Sequence, residues 1–204
     1  MLFRSAVKEG APAVFLSMAE AMSHVLTGML ERGEVDFILG YDTPDQAQFD
    51  RIALMQDDLF LVTKPNGKTK KTVNFADAIK ADLAMPEAGD AVRNAVLRAA
   101  KNLGHDLRVT YEVRSVSAMK SLVLRGEAVS VLPLFSVVDE VLAGTLSAMQ
   151  IKSPAVSRTL YVSSLRQGNS FRNADQLTDT IRRSLETMIK RLRPIAPQQW
   201  ARIL

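Results

Sequence analysis

The sequence predicts an α/β fold. Short apolar runs of strand length alternate with stretches of helical spacing, the pattern of βαβ units and parallel sheets. Serine or aspartate stands ahead of several helical stretches and glycine behind them, marking where each starts and stops. A composition of 47% hydrophobic and 24% charged residues over 204 positions is that of a chain able to bury a core. That length suits one large domain or two of about 100 residues each.

Residues 13–18 (AVFLSM) are a nearly continuous apolar run, as expected of a strand covered on both faces. Ser23 is placed to cap a helix whose Val25, Leu26, Met29 and Leu30 share one face and which Gly33 ends. A strand over 35–39 follows, and another is expected over 59–62. The polar, turn-rich stretch 64–72 (KPNGKTKKT) cannot pack into a core and marks a boundary between two lobes. Beyond it come a short helix over 75–80 and a strand over 83–85. Asp90 opens a helix that carries Val92, Val96, Ala99, Ala100 and Leu103 at helical spacing and closes at Gly104.

A strand over 109–113 leads to a helix over 118–125, capped by Ser117 and stopped by Gly126. The apolar strand 128–132 ends at Pro133, and a helix over 135–142 ends at Gly144. Strands over 146–151 and 159–165 are separated by Pro154, the second returning the chain to the first lobe. The last helix, 173–192, aligns Leu177, Ile181, Leu185, Met188 and Leu192 before Pro194. Met18, Met29 and Met119 are expected in the core, and Met22 is a candidate cleft residue.

The chain has no cysteine, which removes disulfides, thiol catalysis and thiolate metal sites, and no segment is apolar for long enough to span a bilayer as a helix. The formal net charge of +4 is confined to the end of the chain. From Arg182 onward six basic residues stand against Glu186, a surplus of +5, so the remainder carries −1. Such a tail lacks the interleaved aromatic residues that stack bases.

His24 and His105 lie far apart and outside any ligand-like spacing, so no metal site is expected. None of G-x-S-x-G, G-x-x-x-x-G-K-[ST] or G-x-G-x-x-G occurs. Asp57 with Asp58, and Glu87 with Asp90, are the carboxylates available for acid–base chemistry, although neighbouring loop carboxylates are usually solvated. Ser23, Ser115 and Ser117 each stand where a strand hands over to a helix. N-capping explains each serine alone; convergence at the carboxyl ends of the strands would make them ligand contacts.

Three stretches, in order, resemble the effector-binding domain of LysR-type transcriptional regulators. Residues 14–40 (VFLSMAEAMSHVLTGMLERGEVDFILG) resemble its strand, short turn, helix and following Gly-Glu-x-Asp strand. Residues 115–133 (SVSAMKSLVLRGEAVSVLP) resemble its most specific stretch, and 140–146 (EVLAGTL) the segment after it. Residues 86–93 (PEAGDAVR) and 158–161 (RTLY) also fit, and the pattern is similar to the nitrogen-assimilation-control branch.

The resemblance implies two Rossmann-like lobes joined by two crossover strands, the type 2 periplasmic-binding-protein-like build, with an effector cleft between them. Residues 1–62 with 161–204 are expected to form lobe I, and 63–160 lobe II. Family members begin with a winged helix-turn-helix, a linker helix and a first strand that are not in these residues, so the chain is expected to be N-terminally truncated. A first lobe lacking that strand is expected to be marginal, with neighbouring strands closing up or a segment of another chain adding as a strand. Carried over, the ligand residues are Ser23, Pro86, Asp90, Ser115, Ser117, Pro133 and Phe135, with no catalytic residue, metal or cofactor. Glu87 and Asp90 would make a strongly anionic effector less comfortable. The expected partners are a small-molecule effector and further copies of the chain, as a homodimer or tetramer, through the helices after Ser23 and after Asp90. DNA would be met only through the missing N-terminal domain, and the setting would be cytoplasmic. The alternative is a stand-alone solute-binding protein of the same build.

Overall fold

A computed structural model describes residues 17–21, 23–67, 70–166, 174–193, 196 and 200–204. The chain divides into two compact units. One comprises Met1–Gln56, Thr159–Leu192 and Ala201–Leu204, the other Asp57–Arg158 and Arg193–Trp200.

In the first unit helix α1 (Ser23–Glu31) packs on strand β1 (Phe37–Tyr41). Leu30, Ile38 and Phe49 form one buried cluster, with Leu26, Val35 and Leu165 against it. Gly33 ends α1 at φ +69°, where Gly33 N–H donates to the Leu30 carbonyl and Glu34 N–H to that of Met29. β1 pairs antiparallel with β8 (Ser157–Leu165) in a register that sets Phe37 against Ser164 and Tyr41 against Leu160. The long helix α6 (Ala174–Leu192) buries Leu177, Ile181, Leu185 and Leu192, the stripe its spacing predicts. Strand β9 (Ala201–Ile203) pairs with the long strand β2 (Phe49–Thr63).

The second unit holds a mixed sheet. β2 pairs antiparallel with β6 (Val129–Pro133) on one side and with β7 (Ser147–Lys152) on the other. β3 (Thr72–Asn74) runs parallel to β7, and β4 (Leu83–Met85) is parallel to both β6 and β5 (Val109–Glu112). The order is therefore β5-β4-β6-β2-β7-β3, with only β2 reversed.

Helix α2 (Phe75–Ala78) follows β3 directly, and helix α3 (Ala91–Asn102) connects β4 to β5. Val92, Ala95, Val96 and Ala100 of α3 join Leu83, Met85, Val131, Leu59 and Leu61 in the largest part of the core. Helix α4 (Val116–Arg125) connects β5 to β6. Its Met119 meets Ser130, which alternates with Val129 and Val131 along β6, so α3 and α4 cover opposite faces. A 3₁₀ turn (Leu134–Ser136) and helix α5 (Val138–Leu142) then lead to β7.

Several expectations are corrected. Residues 13–16 lie outside the described residues, as does Met22; Ser17 and Met18 are not in a strand, and Met18 is 62% exposed rather than core. β2 runs over fifteen residues, far beyond 59–62, because polar Asp50, Arg51, Gln56, Asp57 and Asp58 break the apolar run without ending the extended backbone. The expected single helix over 135–142 is interrupted at Val137, whose backbone is not helical. Compared with boundaries at 62 and 161, the units divide at Gln56/Asp57 and Arg158/Thr159, and Arg193–Trp200 joins the second unit. Trp200 explains that last assignment, because its ring packs on Phe60 and Phe135.

Candidate functional site

The parallel strands of the second unit end on one side of the sheet, and six of the seven ligand candidates follow those ends. Met85 of β4 is followed by the buried Pro86 and the turn to Asp90; Glu112 of β5 leads to Ser115 and Ser117; β6 ends at Pro133, two residues before Phe135. β4 and β6 are neighbours, yet β4 connects outward to β5 while β6 connects the other way, past β2, to β7. Loops leaving adjacent strands in opposite directions open a crevice at the carboxyl ends, where ligands of open α/β sheets bind. Residues 86–90 and 133–136 are those two loops. Ser23 belongs to the first unit, where its hydroxyl accepts the Tyr41 N–H at 3.0 Å.

The loop after β4 is held at both ends. Asp90 caps α3, its carboxylate accepting Val92 N–H at 2.8 Å, and Gly89 takes φ +95°, which favours glycine. Arg93 donates to the Pro86 carbonyl at 3.0 Å and also pairs with Glu112, tying the ends of β4 and β5 together. Arg114 binds Glu87 at 2.8 Å across the same gap. Glu87 is thus neutralised and Asp90 is occupied, so the expected discomfort of an anion at this rim is reduced.

Two cap assignments change. Ser115, not Ser117, is the N-cap of α4, its hydroxyl accepting Ala118 N–H at 3.4 Å. Ser117 lies inside the first turn and is exposed, so its hydroxyl has no capping duty. Ser23 is the first residue of α1, and its hydroxyl serves β1 rather than its own helix.

Lys120 of α4 and Glu140 of α5 form a half-buried ion pair at 2.5 Å. Burial, the largest influence on Glu140, pushes its carboxyl up. The Lys120 bond, a backbone bond and the Lys120 charge together outweigh it and hold Glu140 below its usual range. Phe135, between these helices in sequence, meets the indole of Trp200 edge-on with ring centroids 4.9 Å apart. Trp200 was not a sequence candidate, since a lone aromatic after a proline-broken tail carries no periodic signal.

The carboxylates held available for acid–base work are engaged elsewhere. Asp57 is not on a loop and not solvated: it is fully buried in β2 and paired with Arg158. Asp58 accepts Gln150 Nε2 at 2.5 Å. Among the described residues no cluster of His, Cys, Asp and Glu could hold a metal ion. Two open grooves, of about 520 and 550 Å³, flank α3 and include none of the seven candidates.

Comparison with known proteins places these features. The LysR substrate binding domain family matches residues 4–186. The HTH-type transcriptional regulator BbuR of Bordetella bronchiseptica is 24% identical over 172 residues, covering 83% of this chain and 53% of BbuR. The hydrogen peroxide-inducible genes activator of Pectobacterium carotovorum is 22% identical over 184 residues, covering 89% of this chain and 61% of the activator. The chain thus spans about half to three fifths of these relatives. Among solved structures, a Corynebacterium glutamicum OxyR cysteine-to-serine variant with hydrogen peroxide bound matches with TM-score 0.84 at 14% identity, over 97% of this chain and 64% of that one. The effector-binding domain of QuiR in complex with shikimate matches with TM-score 0.77 at 14% identity, over 91% and 89%. Such likenesses establish the two-lobed, type 2 periplasmic-binding-protein-like fold.

Proposed function

The chain belongs to the LysR substrate-binding domain family, and we propose that it is the effector-sensing module of a LysR-type transcriptional regulator. The observation that carries this reading is that the loops after the neighbouring strands β4 and β6 leave their carboxyl ends in opposite directions, the arrangement in which open α/β sheets bind ligands. In this reading Pro86, Asp90, Ser115, Ser117, Pro133 and Phe135 are the ligand residues. The serine hydroxyls and adjacent N–H groups bind polar groups of the effector, while Pro133 and Phe135 provide an apolar wall. QuiR, of the same fold, is in complex with shikimate, and a small polar molecule of that kind suits such a rim.

The mechanism is population shift: an effector that binds one arrangement of the domain better than another displaces the equilibrium by that difference in affinity. DNA contact is assigned to a helix-turn-helix domain outside these 204 residues, assembly to a homodimer or tetramer through α1 and α3, and the setting to the cytoplasm. Catalysis is not part of the reading. Nor is a thiol switch within these residues, since none is cysteine.

A thermal-shift screen of small polar metabolites, shikimate included, tests the proposal. A ligand held at about 100 times its Kd stabilises the folded chain by about 2.7 kcal/mol, well within detection. A compound that raises the melting temperature and saturates at one per chain in calorimetry is the expected result. A screen in which nothing stabilises the chain would contradict it.

A further inference from the structure

Trp200 is the single tryptophan of the chain and is 3% exposed. Its carbonyl accepts the Asp58 N–H at 2.8 Å, the next residue begins β9 alongside β2, and Leu204 N–H donates to the Leu54 carbonyl at 3.0 Å. The main chain around the indole is therefore stitched to β2. From that anchorage the ring reaches Phe60 and Phe135, with centroids 6.2 and 4.9 Å away and planes inclined by 69° and 63°. Both are edge-to-face contacts of the kind aromatic pairs prefer.

Phe135 is different from its two neighbours in that cluster. It is half-buried, whereas Phe60 and Trp200 are buried, and it sits on the 3₁₀ turn leaving β6. Such a turn fixes its backbone but leaves several side-chain rotamers open. The edge of an immobile indole removes that freedom. Trp200 itself is too buried to meet a dissolved ligand, so any influence on binding passes through Phe135.

Resting on the effector-site reading above, we propose that Trp200 is a positioning residue of that site: it fixes the Phe135 ring and so sets the shape of the apolar wall that selects among effectors. The C-terminal segment is then part of the sensing apparatus. The same residue bonds the main chain of Asp58, the second residue of the second unit on β2, so the wall and the start of that unit share one anchor.

Two readouts separate this from a purely structural role. In the 204-residue chain labelled with 4-fluorophenylalanine, the ¹⁹F resonance lost in Phe135→Leu is that of Phe135. It should move in Trp200→Leu and stay nearer its original place in Trp200→Phe; a resonance indifferent to Trp200→Leu overturns the proposal. In calorimetry with benzoate and cyclohexanecarboxylate, a flat and a puckered ring of similar size, Trp200→Leu should change the ratio of affinities by about fivefold or more. Adding it to Phe135→Leu should change that ratio no further. A lower melting temperature with the ratio unaltered would make Trp200 merely structural and overturn the proposal. If neither probe binds the wild type and the metabolite screen is also blank, the effector-site reading fails, while the fluorine resonance still decides whether Trp200 positions Phe135.

Discussion

Asp57 and Arg158 form a buried ion pair, Nε to Oδ1 at 3.2 Å and Nη2 to Oδ2 at 3.4 Å, although 101 residues separate them in sequence. They stand where β2 enters the second unit and β8 leaves it. Asp57 is fully buried and Arg158 is 8% exposed. A carboxylate this deep is tolerated only with its partner, so the pair fixes the two crossover strands against one another rather than performing chemistry.

Removing one partner leaves the other charged and buried. Arg158→Met should cost about 3–5 kcal/mol at neutral pH, and adding Asp57→Asn should recover part of it. Burial already pushes the Asp57 carboxyl above its usual range, against the pull of Arg158. A raised folded-state value contributes stability below the unfolded value that is lost as pH rises through the folded one. Without Arg158 the rise is larger, so urea denaturation should find the Arg158→Met penalty smaller near about pH 4 than at about pH 8.

In the Lys120–Glu140 pair the carboxyl is shifted the other way, yet removing its cation should again matter less in acid. Glu140 is held below its usual range, so its contribution is present above the unfolded value and disappears as pH falls through the folded one. Lys120→Met should destabilise by up to about 1 kcal/mol at neutral pH. The wild-type and variant denaturation midpoints should converge in acid.

Gly126 ends α4 at φ +77°, in the left-handed region. Gly126→Ala should lower stability by about 1 kcal/mol, read as a drop in melting temperature, because a Cβ there meets the following carbonyl.

How much of this was legible differs by element. α3 stood out because its Asp90 cap, its apolar period and Gly104 agreed, and α6 because its apolar stripe runs up to Pro194. β9 and β3, three residues each, carry no such pattern, and β2 was cut short because polar Asp50, Arg51, Gln56, Asp57 and Asp58 interrupt its apolar alternation. Burial of Asp57 was invisible, since its partner lies across the fold rather than nearby in sequence. Strand order, which sends the β4 and β6 loops in opposite directions, comes from pairing and cannot be read from either loop alone.

The isolated chain should show no sequence-specific binding to duplex DNA. Its positive surplus is confined to the last stretch of the sequence, and contacts of that kind weaken steeply with salt. Mobility-shift assays at about 150 mM salt should show no discrimination between operator-like and random duplexes.

The most direct measurement of the central claim compares affinity with stability for Ser115→Ala and Ser117→Ala, using the metabolite that saturates the wild type in calorimetry. Ser115 caps α4, so its replacement should cost about 1 kcal/mol of stability. Ser117 is exposed and caps nothing, so its loss should leave the melting temperature nearly unchanged. If the effector sits at the ends of β4, β5 and β6, Ser117→Ala should nevertheless weaken binding by up to about tenfold, the loss of one neutral hydrogen bond. Unchanged affinity in Ser117→Ala, with Ser115→Ala losing only melting temperature, would contradict the site.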